Sequence, residues 1–96
     1  MPYFIRLLNF TPEGLKDIKQ FRAKRSEFKK QANDMGISIY AEYITTGPYD
    51  LVTILEAPDL DTILKLSTLT ASKGRMTVQT MSAVPAEHFE DIVESI

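Results

Sequence analysis

Tyr49 and Asp50 stand side by side, and both can do chemistry. A phenol can donate a hydrogen bond or stack on a flat ligand, and a carboxylate can accept a proton as general base. The same pair also suits a turn, with Asp50 bonding nearby N–H groups and Tyr49 packing on a neighbouring strand or subunit. The structural role is the stronger reading. Asn9, Tyr40, Tyr43, Arg75, Thr77 and Gln79 are further polar or phenolic side chains, set on apolar stretches. They could reach an apolar pocket with a few convergent polar groups. Asn9, Tyr43, Tyr49, Asp50 and Arg75 are therefore taken as candidate ligand-binding residues, with no catalytic residue assigned.

Other chemistries are poorly supplied. His88 is the lone histidine, set among Glu87, Glu90 and Asp91 with no orienting partner in view, and is expected at the surface. The chain has no cysteine, so disulfides, a thiol nucleophile and a thiolate metal site are excluded. One histidine without cysteine argues against structural zinc, and Asp59/Asp61 spacing is helix capping, not a calcium loop. No Gly-rich phosphate loop, Ser/His/Asp set or aromatic-plus-basic RNA pattern is present. No metal and no cofactor are expected. Arg6 lies within an apolar stretch and needs a carboxylate, Glu42 or Glu56, or an aqueous exit.

The 96 residues suit one small domain spanning 1–96, with 44% hydrophobic and 25% charged residues. A net charge of -2 argues against general nucleic-acid binding. Charge is uneven: Lys16 to Lys30 carries seven basic residues against Asp17 and Glu27, and the region from Asp50 onward is acidic. No run approaches the roughly 20 apolar residues needed to span a bilayer, and no signal peptide is read at the N-terminus. The expectation is a cytoplasmic protein without a membrane partner.

The elements that must position these residues centre on Thr45-Thr46-Gly47-Pro48-Tyr49-Asp50. Gly47 can take φ > 0 and Pro48 fixes its own φ, so the stretch reads as a turn joining strands Ile37–Ile44 and Leu51–Leu55. Tyr3–Phe10 is a first strand. Thr11 as N-cap and Pro12 at the first helical position start a helix whose apolar stripe runs Leu15, Ile18, Phe21, Phe28, Ala32 and Met35. Arg22 and Arg25 fall inside that stripe, so an interruption near Gln20–Lys24 is expected. Gly36 closes the segment. Asp59 caps a second helix with Leu60, Ile63, Leu64 and Ser67 buried, and Gly74 ends it. Arg75–Ser82 alternates as a fourth strand, and Pro85 begins a last helix carrying Phe89, Ile92, Val93 and Ile96.

The order β-α-β-β-α-β plus a C-terminal helix is the α+β, ferredoxin-like arrangement, with a four-stranded antiparallel sheet and two helices on one face. The first and third strands look apolar on both faces. One set, Phe4, Leu8, Val52 and Ile54 or their opposite-face neighbours, would then face water. Such a patch suits a homodimer, or a higher homo-oligomer, with sheets face to face.

Residues Tyr3 to Gly14, Lys16-Asp17-Ile18-Lys19, Thr46 to Val52 and Glu56-Ala57-Pro58-Asp59 together resemble the GYD domain family. Its Gly-x-Tyr-Asp motif is here Gly47, Pro48, Tyr49 and Asp50. The resemblance runs over almost the whole chain and implies a dimeric α/β barrel fold, with little said of activity. The hairpin and the helix after it are also similar to the effector-binding domain of leucine-responsive (feast-famine) transcription regulators. The helix-turn-helix that precedes that domain there is not read in these residues. The expected function is a homo-oligomeric small-molecule-binding or assembly module without catalysis. The alternative is a cofactor-independent monooxygenase or isomerase of the dimeric α/β-barrel type.

Overall fold

The computed structural model describes residues 1–96. The chain runs β1 (Tyr3–Phe10), α1 (Pro12–Lys16), a 3-10 turn (Ile18–Gln20), α2 (Phe21–Asp34), β2 (Ser38–Ile44), β3 (Leu51–Glu56), α3 (Leu60–Ser72), β4 (Met76–Ala83) and α4 (Ala86–Glu94). The four strands form one antiparallel sheet in the order β2-β3-β1-β4. This is the ferredoxin-like α+β fold expected from the element order.

Local chemistry sets the boundaries. The Thr11 hydroxyl accepts the Gly14 N–H and Pro12 opens α1, where its missing N–H costs nothing. The Asp59 carboxylate accepts the Thr62 N–H at 2.8 Å and starts α3. Gly36 ends α2 at φ 76°, and Ile37 N–H then reaches back to the Ala32 carbonyl at 2.9 Å. The expected interruption of the first helix is real but earlier: the chain leaves α1 at Asp17 and re-enters helix at Phe21.

Period-two alternation divides β1 and β3 between the sheet faces. Phe4, Arg6 and Leu8 pair with Leu55, Thr53 and Leu51 on the helix side, and all six are buried. Phe4, Leu55, Ala57, Ala32, Ile37, Ile63 and Leu66 form the core, with Phe28, Met35 and Ile39 against it. The opposite face carries Tyr3, Ile5, Leu7 and Asn9 beside Val52 and Ile54. Val52 and Ile54 thus share a face with Leu7 and Ile5, whereas Phe4 and Leu8 lie under the helices.

Two expected stripes differ from those observed. In α3 the buried residues are Ile63 and Leu66, while Leu60 and Leu64 are exposed. The inward stripe continues through Ser67 and Thr70, whose hydroxyls meet Thr80 and Arg6, so it is half polar. Leu15 of α1 and Ile18 of the 3-10 turn, both expected in the buried stripe, are exposed.

Candidate functional site

Between the helix side of the sheet and the helices lies a cavity of about 130 Å³. Its apolar wall comes from Leu8, Phe10 and Leu51 of the sheet and from Phe21 and Phe28 of α2. Phe10 and Phe21 meet edge-on, their ring centroids 6.2 Å apart. Arg6 stands in this wall and is 1% exposed. Its Nη2 donates to Thr70 Oγ1 at 2.8 Å, and its guanidinium carbon sits 5.5 Å from the centre of the Phe28 ring. Its Nε is buried and has no hydrogen-bond partner. Burial lowers the Arg6 pKa to about 10, with the Glu42 carboxylate acting in the opposite direction. Arg6 therefore keeps its charge at neutral pH. Of the two carboxylates expected to accompany it, Glu42 is the one that lines the cavity, but its hydrogen-bonded partner is Arg25, at 2.8 Å from Nε. Glu56 instead pairs with the N-terminal ammonium at 3.4 Å.

The five candidate binding residues fall in three places. Asp50 and Tyr49 lock the hairpin onto β1 and β4. Phe10 N–H donates to Asp50 Oδ2 at 2.9 Å, Asp50 N–H donates to the Leu8 carbonyl at 2.9 Å, and Tyr49 Oη donates to Gln79 Oε1 at 2.7 Å. Asn9 lies opposite Thr77 and Tyr43 opposite Val52, on the sheet face away from the helices. Arg75 is at the cavity, where its Nε lies 3.5 Å from Asp17 Oδ2. Arg75 alone of the five therefore lines the cavity. Arg6 and Thr70 were outside the candidate set. The signal for Arg6 was its charge in an otherwise apolar strand.

A second feature lies on the far side of the sheet. Ile5, Leu7, Val52 and Ile54 form its apolar centre, Met81 adds to it from β4, and Tyr3 and Tyr40 meet at 5.5 Å along one side. No helix covers them. Beyond β4, α4 presents Phe89, Ile92 and Val93 at the spacing of one helical stripe, and Ile96 follows the helix; all four are exposed. His88 is exposed on the same helix.

The fold and this pair of features define a ferredoxin-like α+β module with an uncovered sheet face. A crystal structure of FFRP-DM1 has this fold, with a TM-score of 0.60 and 17% identity over 88% of this chain and 100% of that one. The chain belongs to the GYD domain family, whose pattern it matches over residues 4–93. It is also 31% identical to the glutamine synthetase and cystathionine beta-lyase binding protein of Thermus thermophilus, over 88% of this chain and 90% of that protein.

Proposed function

We propose that this protein is a homo-oligomeric, non-catalytic binding module that assembles through its open sheet face and docks on other proteins. The observation that carries the assembly is α4. A helix of nine residues without a side-chain N-cap bond is marginal in water on its own, since isolated helices need about 12–15 residues. Its apolar side chains, Phe89, Ile92 and Val93, are exposed in the single chain. Laying that stripe on a second copy, with the Ile5, Leu7, Val52 and Ile54 faces apposed, removes both apolar surfaces from water. Docking on proteins is supported by the relative from Thermus thermophilus, which is named for binding two enzymes. The absence of catalysis is supported by the separation of the reactive groups: Tyr49 and Asp50 are committed to the hairpin, and His88 stands in water.

Assembly and docking are tested separately. Analytical ultracentrifugation of the full chain is expected to give a dimer or larger species; a monomer overturns the assembly. Pull-down with purified glutamine synthetase is expected to retain that enzyme. Loss of the retained band in the presence of an excess of untagged module confirms specificity, and no retention overturns the docking reading for that enzyme class.

A further inference from the structure

We propose that the cavity between the sheet and the helices binds a small monocarboxylate with an apolar body, its carboxylate held by the Arg6 guanidinium. The inference stands apart from the assembly reading, which concerns the opposite face of the sheet.

Charge is the first support. The carboxylate that acts on Arg6 is Glu42, which Arg25 already engages at 2.8 Å. Arg6, 1% exposed, is left without a hydrogen-bonded counter-ion. A buried charge without a hydrogen-bonded counter-ion is costly, and a ligand carboxylate supplies the missing partner. Donor geometry is the second. A guanidinium offers five N–H groups in a planar fork, and here only Nη2 is engaged by a protein acceptor, Thr70 Oγ1. The buried Nε lacks any acceptor, and a guanidinium can give a carboxylate two parallel bonds. Thr70 is itself fixed, because its hydroxyl donates to the Leu66 carbonyl at 3.1 Å and must therefore accept from Arg6. The fork is held in place before any ligand arrives.

Size and lining then choose the ligand class. An apolar protein cavity of about 150 Å³ holds benzene, so about 130 Å³ takes a carboxylate with a body of a few carbons. Leu8, Phe10, Phe28 and Leu51 suit a branched aliphatic body, while the other charges of the lining are of both signs, Lys24, Lys73 and Arg75 with Asp17 and Glu27.

The test is an NMR titration of the isotope-labelled full chain with isovalerate, with its neutral isostere isovaleramide, and with inorganic phosphate. Isovalerate is expected to shift the amides of Arg6, Phe28 and Thr70 saturably, and the amide to bind roughly tenfold more weakly or worse, because it forfeits the charge-assisted pair. Arg6→Met, confirmed as folded by its own spectrum, is expected to lose the response. If Arg6→Met fails to fold, the acid-to-amide ratio in the natural protein decides alone. A flat isovalerate titration, an equal response to the amide, or an unchanged response in folded Arg6→Met overturns the proposal. Phosphate binding as strong as isovalerate at the same amides also overturns it, in favour of a general anion site.

Discussion

Gly14 packs against the Arg75 carbonyl so closely that a Cβ there would collide with backbone, and that carbonyl also accepts the Thr11 N–H at 3.0 Å. Neither partner is a flexible side-chain end, so the crowding cannot be relieved by a rotamer change. Gly14→Ala is expected to lower unfolding free energy by about 1–3 kcal/mol, the usual cost of overpacking, measured by urea denaturation. Asp50 is the other residue whose work is structural. Removing its carboxylate leaves the Phe10 N–H without its acceptor, so Asp50→Ala should cost roughly 1–2 kcal/mol in the same assay. The structural role of Asp50 was legible in the sequence because turn chemistry is local: Gly47, Pro48 and Asp50 act within a few residues of one another. The role of Arg6 was half legible. A cation in an apolar strand announces a buried charge, but Thr70, Phe28 and Glu42 reach it from three other elements, and no local pattern links them.

At the scale of elements, caps and breaks carried most of the readable information. Asp59 is the clearest case. Its bonds to the Thr62 hydroxyl and N–H hold its carboxyl below the ordinary value of 3.8. A depressed carboxyl pKa contributes stability that is present above the unfolded value and is lost as pH falls through the folded one. Asp59→Ala should therefore be less stable than the natural protein at pH 7, and the gap should shrink once pH drops below 3.8, as followed by helix signal in thermal melts. An unchanged gap at low pH would mean that the cap acts through geometry alone. The orientation of α3 was not legible. Leu60 and Leu64 form as good a helical stripe as Ile63 and Leu66. The choice between them falls to Ser67 and Thr70, polar residues whose partners Thr80 and Arg6 are distant in sequence. The break between α1 and α2 could be foreseen from Arg22 and Arg25 interrupting the apolar spacing. Its place was fixed instead at Asp17, whose carboxylate is engaged by Arg75.

For the whole molecule, strand alternation set the two faces of the sheet. β1 and β3 are apolar at successive positions, and such strands are ordinarily covered on both sides. Within one chain only one side is covered, by α1 to α3. The other side and the α4 stripe are the two apolar surfaces left over, and both were visible as runs of apolar residues. Which copy covers which could not be read, because symmetry contacts leave no periodic trace in a single chain. Replacing Phe89 and Ile92 together by Ser should shift the assembly toward monomer while the strand and helix signals persist, since both side chains are exposed in the single chain. Circular dichroism alongside light scattering checks both halves of that expectation. The most direct test of the central claim is native mass spectrometry of the full, unaltered chain at micromolar concentration. A dimer or higher oligomer is predicted; a monomer across that range would contradict assembly through the open sheet face.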